Sequence, residues 1–282
     1  MKYTFASLGK LESIGLRLGG AGLGNILFPW ARSLVYAKKN NMIRIATTWK
    51  VLKFGPLFRN EKDKRFYFDL FTDKSGVSGF HKFWLLNFTN DIKYFRGMNG
   101  LFSELINEHD YIKKELFNIT NPIYLEAISD YKSDGIGVHI RMGDFIESNN
   151  EKQLRNKEWN YRIPIKWYIR MVKKIRSYKN LPVYVFSDAR KGELNEILQL
   201  PNTFRVGYGS AIADMIALSK SKMLISSSST FSMWSSFLGQ IPTIWFPGQH
   251  RQNIIINKDI YEGVIDYNDR LPSKLKDYFN HD

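Results

Sequence analysis

Gly135-Ile136-Gly137-Val138-His139-Ile140-Arg141-Met142-Gly143-Asp144 is the stretch on which the reading of this chain turns. Its first four residues form a short apolar run, the pattern of a strand buried in a sheet. The run then delivers His, Arg and Asp in quick succession, with a flexible Gly between Arg141 and the acid. One strand end thereby places an imidazole, a guanidinium and a carboxylate beside one crevice. Arginine suits an anionic ligand because its planar fork donates two parallel hydrogen bonds and stays charged at neutral pH. The alternative is a surface strand end with a solvated Arg141–Asp144 pair.

Outward from this stretch, Val183 to Phe186, Met223 to Ser226 and Pro242 to Phe246 repeat the short apolar run. Helical patterns separate them. Ile165, Tyr168, Ile169, Val172 and Ile175 fall on one stripe of Pro164 to Tyr178, with Lys and Arg opposite and Pro at the start. Gly192 to Leu200 and Ala211 to Ser221 are further helical segments. Alternation of strand and helix predicts an α/β fold with a parallel, doubly wound sheet. The N-terminal half opens the same way, with strand Gly15 to Leu18, helix Asn25 to Lys38 and strand Met42 to Ala46. Residues 49 to 100 are less legible, and their clusters Phe66-Tyr67-Phe68 and Phe80-His81-Lys82-Phe83-Trp84 read as core or packing under loops ahead of sugar platforms. Glu104 to Phe117 is helix-like, and a domain boundary is expected between Ile119 and Asp134.

Two other segments carry chemistry. Ser226-Ser227-Ser228-Ser229-Thr230 leads into Phe231, Trp234 and Leu238 at helical spacing, so a helix starts near Ser229 or Thr230 and stops at Gly239. Exposed backbone N–H groups, the helix dipole and hydroxyls at that start form an anion pocket; the simpler reading is an ordinary Ser/Thr cap. Leu18-Gly19-Gly20-Ala21-Gly22-Leu23-Gly24-Asn25 permits a tight turn and close approach of a ligand to Gly22 and Gly24, with Asn25 able to cap the helix and reach that ligand. It is not a dinucleotide fingerprint, since Asn25 stands where the third Gly belongs, and no Lys-Ser/Thr completes a Walker loop.

Together these segments resemble glycosyltransferase family 11, the α-1,2-fucosyltransferases. The family pattern is matched by Gly24-Asn25-Ile26-Leu27-Phe28, by His139 to Phe145, by Val185-Phe186-Ser187-Asp188 and by Ser228-Ser229-Thr230-Phe231-Ser232-Met233-Trp234, in order across residues 15 to 246. The chain departs from the pattern at Ile26, Met142, Ala189, Ser228 and Met233, where the family carries Gln, Arg, Asp, Asn and Trp. The resemblance implies a GT-B arrangement, two Rossmann-like domains with parallel sheets facing across a cleft. It assigns residues 1–130 to an acceptor-side domain, 131–260 to a nucleotide-sugar-binding domain and 261–282 to a C-terminal tail. It further implies inverting transfer of L-fucose from GDP-β-L-fucose to O2 of a galactoside, in a bacterial surface glycan or glycolipid. Arg141 and Asp144 are the expected catalytic residues. Gly22, Gly24, Asn25, His139, Arg141, Ser187, Asp188, Asp214, Ser228, Ser229 and Thr230 are the expected GDP-sugar contacts. Asp214, one turn into its helix, matches an acid used on the nucleotide, and a carboxylate can accept from both N1–H and the exocyclic amine of guanine; a helix-dipole role is the alternative. No cofactor and no metal are expected, GDP-fucose being the donor substrate, and no Asp-x-Asp stands at a strand end.

Composition is compatible with this. A chain of 282 residues, 44% hydrophobic and 15% aromatic, can bury a substantial core in one large domain or two. No run reaches the roughly 18 apolar residues of a membrane span, and Met1 to Phe5 lacks the apolar region of a signal peptide, so a cytoplasmic address is expected. The absence of cysteine excludes disulfides, thiol nucleophiles and Cys-based zinc sites. The formal charge is +14, and residues 151 to 179 hold ten Lys/Arg against two Asp/Glu. Such a field favours anionic partners: the nucleotide donor, and an anionic membrane surface at the inner face of the cell. Solubility alone also explains net charge. Nucleic acid is not expected, because no zinc-finger, RRM or helix-turn-helix signature is present. The competing functions are a GT-B transferase with another nucleotide sugar, or a basic module binding nucleic acid or membrane surface, which would leave the three strand-end motifs unexplained.

Overall fold

The computed structural model describes residues 2–9, 16–17, 21–49, 52–53, 67, 69–73, 75–131, 134–147 and 150–280, for 16–17 and 52–53 the backbone only. The chain divides into two compact units, Met1–Glu126 and Ala127–Asp282.

The first unit runs β1 (Tyr3–Ala6), β2 (Leu16–Arg17), α1 (Leu23–Lys39), β3 (Ile43–Ile45), β4 (Leu52–Lys53), α2 (Gly79–Phe88), β5 (Ile92–Phe95), α3 (His109–Ile119) and α4 (Pro122–Glu126). Its main sheet is three-stranded and parallel, in the order β3-β1-β5. The central strand β1 lies upstream of the segment from which sequence pattern starts the fold; β2, within the expected Gly15 to Leu18 strand, pairs only with β4. Phe5 packs with Ile45, Leu85 and Ile92 on one face. On the other, the Thr4 hydroxyl donates to the Ser33 carbonyl of α1 at 3.4 Å. Phe80, Phe83 and Trp84, expected inside, are exposed on α2, whereas Tyr67 is buried and accepts a hydrogen bond from the Leu23 N–H at 3.0 Å. Phe66 and Phe68 lie outside the described residues.

The second unit runs β6 (Ile136–Ile140), α5 (Lys152–Arg155), α6 (Ile165–Arg176), β7 (Val183–Ser187), α7 (Asn195–Leu198), β8 (Thr203–Arg205), α8 (Ala211–Ser219), β9 (Met223–Ile225), α9 (Thr230–Gly239), β10 (Thr243–Trp245), β11 (Glu262–Val264) and α10 (Ser273–Asn280). All six strands are parallel, in the order β11-β10-β9-β6-β7-β8. With β6 counted first, this is the 3-2-1-4-5-6 order of the doubly wound dinucleotide-binding sheet. The winding reverses between β6 and β9, and ligands of such sheets bind beyond the carboxyl ends of the strands at that reversal. Every residue of β6 is buried, which is why its sequence is an unbroken apolar run. Helix α6 seats Trp167, Tyr168, Met171, Val172 and Ile175 in the core, with Ile165 and Ile169 at its margin.

The segment from 261 onward is not a tail. Glu262–Val264 pairs with β10 as an edge strand, and Leu275 and Phe279 of α10 enter the same core as β6. Its apolar residues sit one helical turn apart, so a largely polar segment still anchors. The expected helix Gly192 to Leu200 is helical only at Asn195–Leu198.

Candidate functional site at the sheet reversal

The parallel register sets Val138 beside Ile225 and Ile140 beside Ser187, so the next residues of each strand leave the sheet side by side. His139 is buried, and its Nδ1 lies 2.9 Å from Ser227 Oγ, 2.7 Å from Ser232 Oγ and 3.4 Å from Ser229 Oγ. Ser227 Oγ is in turn 2.9 Å from both Ser229 Oγ and Ser232 Oγ. Phe231 stacks on the imidazole at 4.6 Å between ring centres. Burial, and then the neighbouring Arg141 charge, push the His139 pKa down to about 3. This imidazole is neutral at physiological pH. It holds the serine run in place and is not itself a cation for a phosphate.

Ser229 is the cap of α9, its side chain accepting from the Ser232 N–H at 3.4 Å. The first N–H groups of any helix lack intrahelical acceptors, and the dipole makes this end electropositive. Ser228 is different from its neighbours. It is 1% exposed, and its hydroxyl has no hydrogen-bond partner. A buried hydroxyl without a partner carries a desolvation cost, so Ser228 is the member of the run whose bonding the protein leaves incomplete.

Arg141 sits across the reversal on β6's exit. Its Nη2 is 2.5 Å from Asp144 Oδ1 and its Nη1 is 2.6 Å from Asp188 Oδ2. Asp188 also accepts from the Met142 N–H at 2.8 Å, so it is fastened to the backbone, while Asp144 lies on an exposed turn. Gly143 has a packing reason: a Cβ there would collide with the Asp188 carboxylate. Ser187 is spent within the protein, its hydroxyl donating to the Ile140 carbonyl at 2.6 Å and accepting from the Ala189 N–H at 3.1 Å. Arg162, which sequence pattern did not single out, braces this loop. Its Nε donates to the carbonyls of Met142 at 3.1 Å and Phe145 at 2.9 Å, and its Nη1 pairs with Glu193 at 3.2 Å.

Asp214 stands in the first turn of α8, whose N-terminus lies at the carboxyl edge of the sheet. Its Oδ1 accepts from the Tyr208 N–H at 2.6 Å. Burial raises its pKa, and that N–H partly offsets the rise. The Tyr208 ring packs edge-on against Tyr131 at 5.7 Å, so an aromatic wall stands close to the acid. Sequence pattern gave no signal for this wall, because Tyr131 and Tyr208 meet only through the fold.

Gly22, Gly24 and Asn25 belong to the first unit. Gly22 caps α1 with an ordinary φ of −64° and room for a Cβ, so the backbone there does not require glycine. Asn25 lies inside α1, beyond its cap residue Gly22, and the first N–H of the helix, that of Leu23, is met by the Tyr67 hydroxyl at 3.0 Å; this corrects the expected capping role. Among the described residues no group of three or more His, Asp or Glu is placed to hold a metal ion.

Residues 36–252 match the family described as Glycosyl transferase family 11. The chain belongs to that family. The match begins after the glycine-rich turn and takes in the whole of the β6, β9 and α9 constellation. The O-antigen biosynthesis glycosyltransferase WbnK of Escherichia coli is 28% identical over 160 residues, which are 52% of this chain and 51% of that protein. The chain thus spans about half the length of the curated relative it matches. Among solved structures it is similar to NodZ alpha-1,6-fucosyltransferase soaked with GDP-fucose, at 15% identity over 87% of this chain and 94% of that one with a TM-score of 0.44. It is also similar to fucosyltransferase NodZ from Bradyrhizobium, at 14% identity over 86% and 94%, with a TM-score of 0.42. This member of the family has an α/β fold built on parallel sheets, and none of the described helices is long and apolar enough to cross a membrane.

Proposed function

We propose that this glycosyltransferase moves L-fucose from GDP-β-L-fucose to a galactoside acceptor, at O2 of galactose, with inversion and without a metal. The observation that carries the reading is the placement of Arg141, of the N-terminus of α9 and of the partnerless Ser228 hydroxyl just beyond the carboxyl ends of the adjacent strands β6 and β9. Bond breaking at the anomeric carbon puts negative charge on the leaving diphosphate. A fixed guanidinium and a helix N-terminus stabilise that charge more in the transition state than in the ground state. Asp188 keeps Arg141 aimed. Asp144, on the exposed turn, is the partner that an arriving phosphate displaces, because a bidentate Arg–phosphate contact replaces one charge-assisted bond with another. Once displaced, its carboxylate is placed to take the acceptor proton. Asp214 then reads the guanine edge.

The acceptor side is supported by the family and by the O-antigen biosynthesis in the relative's name, and the reading assigns the reaction to bacterial surface glycan synthesis. Peripheral attachment to an anionic membrane is part of the same proposal. It is supported by the charge of +14 and by α2, which exposes Phe80, Phe83, Trp84 and Phe88 together on its surface.

A thermal-shift series tests the donor. GDP and GDP-fucose are expected to raise the Tm by mass action, with UDP, ADP and a short oligonucleotide inert at matched ionic strength. Arg141→Ala is expected to abolish that shift and to lower turnover about 100-fold, with excess EDTA leaving the wild-type rate unchanged. Stabilisation by UDP-sugars alone overturns the GDP assignment. Stabilisation by the oligonucleotide alone favours a nucleic-acid module.

A further inference from the structure

Arg251 is placed unlike Arg141. It follows β10, the neighbour of β9, so it leaves the sheet at the same carboxyl edge as the serine run. Its guanidinium lies 3.9 Å from the centre of the Trp159 ring. Among the described residues it has no carboxylate partner, and its buried Nε has no acceptor. Burial pushes its pKa down to about 10, the direction expected of a cation that loses water and gains no counterion. Glu262, on the strand β11 that pairs with β10, is directed elsewhere. Glu262 Oε2 accepts from the N–H groups of Ile254 at 2.7 Å and Ile255 at 2.9 Å, and its Oε1 faces His250 at 3.4 Å.

The loop that carries Arg251 is held firmly. Gly248 has φ of +81°, and a Cβ there would run into the backbone carbonyls of Leu154 and Arg155. Gln249 Nε2 donates to those of Leu154 at 2.5 Å and Glu158 at 3.2 Å. Trp159 comes from the loop that follows β6, so the pair joins the exits of two strands. A desolvated, immobilised cation without a counterion destabilises the fold that holds it. That cost is recovered when an anion arrives.

We propose that Arg251, stacked on Trp159, is an oxyanion-binding residue at this edge that takes a phosphate or carboxylate oxygen of a bound substrate. The inference rests on the reading of the edge as a nucleotide-sugar site. Two substrates can supply the oxygen: the donor's diphosphate, or an acidic group on the acceptor.

The test compares wild type with Arg251→Gln and Arg251→Ala by titration calorimetry with inorganic pyrophosphate, GDP and guanosine. Donor contact is expected to show as a loss of about 10-fold or more in pyrophosphate and GDP affinity with guanosine unchanged, the size of one charge-assisted contact. Acceptor contact instead leaves those affinities intact and raises KM about 10-fold for a galactose-terminated lipid diphosphate, with methyl β-galactoside unaffected. Either outcome supports the site. The Tm gives an independent readout: the variants are expected to melt no lower than wild type, since they remove a partly buried cation that has no counterion among the described residues. A lower Tm with unchanged ligand parameters makes Arg251 structural and overturns the inference, as do unchanged affinities and KM values at unchanged Tm. Wild type that binds pyrophosphate and UDP but not GDP refutes the guanine donor while leaving the pyrophosphate arm to judge Arg251.

Discussion

Helices α2 and α9 have the same length, ten residues, and similar apolar content, yet they face opposite environments. In α9, Trp234 and Phe237 are fully buried, and the helix start is tied to His139 through a net of hydroxyls. In α2, Leu85 is the one buried side chain, while Phe80 is 81% exposed, Phe88 68% and Trp84 48%. Apolar sequence alone therefore does not say what a helix is for. Burial of residues 232 to 238 makes α9 a fixed part of the sheet's packing. A face of aromatics left in water on α2 is available to something outside the fold.

The largest effect should come from emptying the buried helix. Trp234→Ala is expected to cost about 3–5 kcal/mol in chemical denaturation, because the cavity beneath α9 cannot collapse around so large a loss. Trp84→Ala should change stability by no more than about 0.5 kcal/mol. Equal losses at the two positions would erase the distinction drawn between the helices.

Next in size is the behaviour of the exposed face. Trp84→Ala combined with Phe88→Ala is expected to weaken sedimentation with phosphatidylglycerol-rich vesicles about 10-fold while leaving Tm and GDP stabilisation unchanged, as aromatic side chains drive interfacial binding. Vesicle binding that is absent in wild type, or indifferent to both substitutions, would remove the membrane from the account of α2.

The smallest effect concerns acid. The His139 pKa is depressed by burial to about 3 in the folded protein, below the 6.5 of an ordinary histidine. Between those values the unfolded chain holds a proton that the folded one does not, so stability contributed by the neutral imidazole is full above about pH 6.5. It is lost progressively as pH falls towards 3. A Tm profile from pH 7 to 4 is expected to fall, and to fall less steeply in His139→Asn; parallel profiles would place His139 in a more open setting.

What could be read from sequence follows the same division. Strand β6 was legible because burial on both faces leaves a continuous apolar run, and helix α9 because Phe231, Trp234 and Leu238 recur at helical spacing between the serine run and Gly239. Strand β1 is short, and its buried Thr4 breaks the apolar pattern, so nothing marked it as central. Helix α2 was illegible because Phe80, Phe83, Trp84, Leu85, Leu86 and Phe88 leave no polar stripe from which to read a period. At the site, Arg141, Asp144 and Asp188 were visible as strand-end residues. Their mutual pairing, the neutral state of His139 and the brace from Arg162 depend on contacts between distant segments. Arg251 and Trp159 are likewise brought together only by the packing of two loops.

The edge strand Glu262–Val264 and the anchors Leu275 and Phe279 carry a consequence for biogenesis. The core that supports β6 takes residues from Ile136 to Phe279, so during synthesis it cannot close until Phe279 has left the ribosome. The first unit, complete by Glu126, is free of that delay. While residues 127 to 279 are being made, the chain therefore offers a finished first unit and an open second one, with the apolar strands of the second sheet uncovered until α10 is made.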